Sequence, residues 1–340
     1  NAYGSANLAV IASYFSVGVV SQVMATPVVY YLIELGASSG VTTVYTALVY
    51  LPWSFKASRP AAIAVFYGFL SDCCPIGGYR RKPYFVIGWA LHITCNLALA
   101  LMGEPGAEAV VVLSFLSACG YLLSDVMTDT IVVERTKLES AARRGSLQAT
   151  GYIARYFGTA LGAVGGTVLY NKDSWGWGLS IAQLFAIAAL TPLVCVVPGL
   201  PYFVEERVGS TKGVLQKHCN EIWMLVQKRA VWEPMIFIYL YNALMLPNAA
   251  WSNFLVEGLG FSDFYLGVVT IAGAVFAWLG LVAYKAYFLQ TNWRTLYIVV
   301  TAFVAVLSVA QLALVLGWST ALGIPNLLFA TGDDAAIDFI

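Results

Sequence analysis

Long apolar stretches separated by short polar ones make up almost the whole chain. They run near residues 8–33, 41–70, 84–103, 109–131, 146–170, 178–200, 232–256, 264–288, 295–317 and 321–340. A helix needs about 20 mostly apolar residues to cross a bilayer. Nine of the stretches are complete and the tenth is cut off at Ile340. Lipid offers no hydrogen-bond partner to an open backbone, so each stretch is expected to be helical. The pattern predicts an all-α polytopic membrane protein embedded in the lipid bilayer.

Basic residues give the expected orientation, because cytoplasmic loops carry an excess of Lys and Arg. Arg80, Arg81 and Lys82 share one connection; Arg135, Lys137, Arg143 and Arg144 share another; Arg207, Lys212, Lys217, Lys228 and Arg229 share a third. Lys285 and Arg294 add to the same side. The opposite connections hold Glu34, Glu104, Glu108, Asp173, Glu257 and Asp263, with Lys172 their only base. This alternation predicts a cytoplasmic N-terminus.

The longest connection, 201–231, reads as a cytoplasmic linker, with residues 222–226 as a helix lying on the membrane surface. The expected organisation is therefore an N-terminal six-helix bundle over 1–200, a linker over 201–231 and an incomplete C-terminal bundle over 232–340. Two six-span halves joined by a linker are the architecture of a major-facilitator-type helix bundle, so about ten of an expected twelve transmembrane helices are present. The chain opens on Asn1 rather than Met, which together with the apolar ending reads as a fragment of a longer protein.

Composition agrees. Hydrophobic residues make up 60% and charged residues 11%, against about 25% charged in soluble domains. Net charge is zero, so nothing suggests a nucleic-acid partner. The six cysteines show no metal spacing and read as reduced thiols. His92 and His218 lie far apart, which argues against a metal or a His-based catalytic centre. No cofactor is implied, and a monomer is expected.

The segment 66–84 stands out. Gly68, Asp72 and the basic cluster Arg80, Arg81 and Lys82 sit between two apolar stretches, as in a cytoplasmic hairpin of a major-facilitator transporter; a basic loop that only sets topology is the plainer reading. With it, Pro52-Trp53-Ser54-Phe55-Lys56, Ser124-Asp125 with Asp129, Glu134-Arg135 and the segment 328–333 resemble the folate–biopterin transporter family. The likeness runs along essentially the whole chain. It implies a secondary carrier of folates or pterins, working by alternating access and often proton-coupled. Two departures stand out. Residues 57–65 separate motifs that the family keeps adjacent, and read as an insertion from a gene-model error or as a genuinely extended helix. The end of the tenth span and two further helices are absent, which implies that this chain alone does not transport.

Charges inside a membrane are costly and mark function by default. Asp125 and Asp129 lie four apart on one helix face. At 1.5 Å per residue, Asp125 lies about 15 Å and Asp129 about 9 Å in from Arg135, and Arg155 about 16 Å in from Arg144. Asp125 and Arg155 can therefore meet. Arg155 suits a substrate carboxylate; an aspartate can accept from the amino-pyrimidine edge of a pterin or carry a proton. The alternative is a salt bridge that merely locks two helices. Trp53, Lys56, Asp333 and Asp334 are further candidates, Trp53 or Tyr152 for stacking on a pterin ring. Gly158, Gly162, Gly165 and Gly166 predict close helix packing; Pro52, Pro192, Pro234 and Pro247 predict bends. Competing functions are a carrier of another organic solute, or, from another class, a receptor or a membrane-embedded enzyme.

Overall fold

A computed structural model describes residues 5–58, 63–137, 139–140, 145–170, 176–203, 205–207, 220, 223–224, 227–244, 254–261, 263–318, 323 and 325–339. The described residues are helical apart from their connections, with no strand among them. Helices α1 (Ser5–Val23) and α2 (Ala25–Glu34) together span the first apolar stretch. The sequence pattern predicts one unbroken helix there, but the chain turns at Met24. Pro27 has no N–H to offer the carbonyl four residues back, which explains the break.

The second stretch is described as α3 (Ser39–Ser58) and α4 (Ile63–Cys73). Residues 59–62, the centre of the suspected insertion, lie outside the described residues. The remaining helices are α5 (Lys82–Met102), α6 (Ala107–Thr136), α7 (Ser146–Leu169), α8 (Ile181–Cys195), α9 (Arg229–Leu244), α10 (Asp263–Ala283), α11 (Trp293–Val315) and α12 (Asn326–Phe339). A 3₁₀ turn, Val197–Tyr202, extends α8, and a π turn, Tyr284–Phe288, extends α10.

Among the described residues, five segments are long and apolar enough to cross a membrane: Asn7–Glu34, Lys82–Met102, Ala107–Thr136, Ile181–Tyr202 and Phe264–Phe288. Helix α7 is long enough, at 24 residues, but its glycines, threonines and Arg155 dilute its hydropathy. At 30 residues α6 is the longest helix described, about 45 Å at 1.5 Å per residue. It therefore outruns a hydrocarbon core of about 30 Å. Of the expected surface helix over 222–226, only Trp223 and Met224 are described, both well exposed. Arg143, Arg144, Lys172, Asp173, Trp175, Lys212, Lys217, His218 and Pro247 lie outside the described residues.

Packing between helices depends on glycine. Helix α1 lies against α7 so closely that a Cβ on Gly158 would strike the Phe15 carbonyl, and one on Gly162 would stand 2.6 Å from the Val19 carbonyl. Gly18 completes the seam from the α1 side, directly over the Arg155 carbonyl. Helices α5 and α6 meet in the same way, with a Cβ on Gly120 falling 2.7 Å from the Gly88 carbonyl. In lipid there is little hydrophobic drive between helices, so such close van der Waals contact is what holds them. Around these seams Val10, Tyr14, Phe85, Trp89, Leu122 and Met127 form one buried cluster, and Val28, Leu32, Leu99, Leu184 and Phe185 a second.

The later helices join through α10. The Phe157 and Trp278 rings lie 5.4 Å apart, Lys285 Nζ donates to Thr150 Oγ1 at 2.6 Å, and Thr167 fills the space beside Gly267. Glycines at the α1–α7 seam differ in what surrounds them, and this gives a paired prediction. Gly158→Ala should destabilise the protein by about 1–3 kcal/mol, the cost of overpacking. Gly165→Ala, whose Cβ would make only ordinary contacts with Val23 Cγ2 at 3.5 Å and Leu169 Cδ1 at 3.9 Å, should be neutral. Thermal unfolding of the two variants in detergent checks the contrast.

Candidate functional site

Helix arithmetic places Asp125 and Arg155 at one depth, and the fold brings them together. Arg155 Nη1 lies 3.1 Å from Asp125 Oδ1, and both guanidinium nitrogens reach Oδ2 at 3.4 Å. The Asp125 side chain is fully buried and that of Arg155 is 13% exposed. Gly18 is what allows α1 to press on the α7 backbone at Arg155. One turn along α6, Asp129 Oδ1 accepts from the Tyr14 hydroxyl at 2.6 Å. Tyr14 and Tyr152 are 5.6 Å apart ring to ring, and the Arg155 guanidinium lies 6.0 Å from the Tyr152 centroid. The three predicted charges thus form one cluster held by two tyrosines. The sequence reading missed Tyr14; its one signal is a place four residues before Gly18.

Two cavities flank this cluster. One, of about 380 Å³, lies between α1 and α7 on one side and α10 and α12 on the other. Gln22, Tyr156, Thr159, Thr270 and Asp334 supply its polar groups. The second, of about 320 Å³, lies among α1, α3, α5, α6 and α8. Thr159 is one helical turn from Arg155, and Tyr121, on the wall of the second cavity, is one turn from Asp125. The ion pair therefore lies one helical turn from a wall residue of each, without lining either. Gln22 lines both. Asp334 accepts from Gln311 Nε2 at 3.4 Å. The side chains of Trp53, Lys56 and Asp333 lie outside the described residues. No group of three or more His, Cys, Asp and Glu side chains that could hold a metal ion occurs among the described residues.

The loop motif forms a separate cluster at the helix ends. Arg81 is buried, bonded to the Ser71 hydroxyl, and pairs with Asp72 at 2.8 Å and Glu134 at 3.2 Å. Ser71 in turn donates to the Gly68 carbonyl. Glu205, just after the 3₁₀ turn, accepts from the backbone amides of Arg80 and Arg81 at 2.8 Å and of Lys82 at 2.7 Å. These amides open α5 and have no partners within the helix. Lys82 Nζ donates to the Phe203 carbonyl at 3.2 Å, and Arg207 Nε donates to the Tyr79 hydroxyl at 3.2 Å. A loop that only set topology would leave its arginines in water. Arg81 is instead a buried hub joining α4, α5 and α6. Glu205 was missed, being one of three acids, with Glu206 and Glu221, on a connection that holds five bases.

Comparison with known proteins adds context to this geometry. A family model described as the BT1 family matches residues 17–340. The Folate-biopterin transporter of Synechocystis sp. is 27% identical over 96% of this chain and 63% of its own length. Folate transporter 1 of Plasmodium falciparum is 23% identical over 88% of this chain and 56% of its own length. The chain thus spans about three fifths of these curated relatives. Among solved structures, a D-xylose-proton symporter matches 98% of this chain and 80% of its own, with a TM-score of 0.56 and 16% identity. The E. coli xylose transporter XylE, in a partially occluded inward-open conformation, matches with the same TM-score at 15% identity, over 98% and 84%. The fold is therefore the all-α polytopic fold of these transporters.

Capping of α5 by a remote carboxylate can be tested. Glu205→Ala leaves three amides without their charged acceptor and should cost about 1–3 kcal/mol, the range for hydrogen bonds to charged groups. Limited proteolysis of the 75–82 connection should speed up in the variant, while Glu206→Ala leaves it unchanged.

Proposed function

Because the chain belongs to the BT1 family, we propose that it forms part of a secondary transporter that carries folate or a related pterin by alternating access. The names of its relatives support the substrate class. The observation that carries the reading is the buried Asp125–Arg155 pair beside the cavity between α1, α7, α10 and α12. A charge pair in lipid is expensive to keep, and a cavity at its side gives it something to act on. In this reading residues 1–200 and 232–340 are the two moving halves, 201–231 is the linker, and the N-terminus is cytoplasmic, as the alternation of basic residues supports. The working unit in this reading is a monomer.

The chemistry follows from competition for Arg155. With Asp125 ionised, the guanidinium is occupied. A proton on Asp125 removes its charge and frees the planar donor fork of Arg155 for a substrate carboxylate. Loading of proton and anion is then coupled, and release of the proton returns Arg155 to Asp125. Asp334, on the opposite wall, is in this reading a further acid on the substrate or proton path. Asp129, tied to Tyr14, steadies the α1–α6 contact beneath the pair.

A charge-neutralising cycle separates this from a purely structural lock. Arg155→Gln and Asp125→Asn alone should each destabilise by about 3–5 kcal/mol, because each strands a buried charge. The double variant should recover most of that stability, yet uptake of labelled folate and biopterin by cells making the full-length protein should stay near background. Normal uptake by the double variant would make the pair a lock and nothing more.

A further inference from the structure

The second cavity has a lining unlike the first. No Asp, Glu, Lys or Arg contributes to it. Its walls carry the rings of Tyr45, Tyr121 and Phe185, all buried. Its polar groups come as a fixed set. The Ser117 hydroxyl donates to His92 Nδ1 at 2.8 Å, and His92 Nε2 faces the Ala188 carbonyl at 3.2 Å. This network assigns His92 a single neutral tautomer, with the proton on Nε2. Asn96 Nδ2 donates to Ser117 Oγ at 2.8 Å and to the His92 carbonyl at 2.9 Å.

Two groups are left over. Both hydrogens of the Asn96 amide are committed, but its Oδ1 has no protein partner among the described residues. Gln22 has none for any part of its amide among the described residues. An amide carries two donors and one acceptor, and leaving it unpaired away from water costs on the order of 1–3 kcal/mol. The break in the first span puts Gln22 just before the turn at Met24, on the wall that separates the two cavities. It can therefore hydrogen-bond to something in either one.

We infer that this second cavity is the subsite for the flat, uncharged heteroaromatic ring of the solute, whose hydrogen-bonding edge is read by Gln22 and Asn96 among the Tyr45, Tyr121 and Phe185 rings. The inference rests on the transporter reading above and extends it: the ring lies within the first half, and the charged end of the solute lies toward Arg155 and the cavity between the halves. Aromatic walls supply stacking for a flat ring. An uncharged lining admits a neutral ring and rejects a carboxylate, which would be stripped of water without a cation to meet it. Each cavity is near the lower end of the roughly 300–1,000 Å³ typical of ligand pockets, so an elongated solute with a ring at one end fits the pair better than either alone.

The test uses the full-length protein in lipid nanodiscs and equilibrium binding of labelled biopterin and folate. Ser114→Leu puts bulk into the second cavity alone, and Gln22→Ala removes the shared amide. Both should weaken biopterin and folate alike by about tenfold or more, the loss expected when a polar reading group or its space is taken away. Ser308→Ala, on the exposed side of α11 away from both cavities, should bind as wild type does. The thermal unfolding midpoint reports whether each variant is folded; if Ser114→Leu is not, Gln22→Ala decides. Wild-type affinity in both Ser114→Leu and Gln22→Ala would overturn the subsite while leaving the transporter reading intact. A wild-type protein that binds neither compound would overturn both.

Discussion

Lipid gives a polar group nothing to bond with, and the interior of this protein is arranged around that fact. Hydroxyls on its helices turn back onto the carbonyl one turn earlier, as Thr128 does to Ser124, Thr150 to Ser146 and Thr159 to Arg155. Trp89 Nε1 donates to Ser13, which also shares a hydrogen bond with Thr128. Asp125 takes Arg155, and His92 takes Ser117. The contacts between side chains on different helices need those helices at close range, and the glycine seams provide it. Gly18 and Gly158 bring α1 onto α7, and Gly88 and Gly120 bring α5 onto α6. The polar clusters and the small-residue seams are therefore one design: the second makes the first reachable. Against this background a half-buried amide with no protein partner among the described residues, such as Gln22 on the walls of both cavities, is informative.

Much of this was legible in the sequence, and the reason is geometric. Apolar length sets the spans, and residue counting from the basic ends sets depth, so the meeting of Asp125 and Arg155 follows from two numbers. Helix periodicity likewise put Asp129 on the face of Asp125. What sequence could not supply is which helix packs on which. Tyr14 and Gln22 are single polar residues in an apolar stretch, and their roles appear only once α1 is known to lie between α6 and α7. Glu205 presents the same difficulty, since its partners, the amides of residues 80–82, lie more than 120 positions away. The break at Met24 had a signal in Pro27 that the hydropathy pattern overrode.

Helix α6 links these sites. Ser117, Tyr121, Asp125 and Asp129 recur every four residues, so they drift only slowly around the helix and share one broad face. At one end of that face are the ring cavity and the His92 network, in the middle the ion pair, and then the Tyr14 contact. Glu134, near the C-terminal end, reaches the Arg81 hub. A regular helix is stiff along its axis, so a shift of Glu134 relative to Arg81 moves Asp125 and Tyr121 with it. The hub is built from α4, α5, α6 and the chain just after α8, all belonging to the first half, so it ties that half together as one body. Coupling between distant sites requires an element with two discrete arrangements that both sites bias. In the proposed cycle the Arg155 guanidinium, held either by Asp125 or by an anionic solute, is such an element, and α6 carries both Asp125 and Glu134.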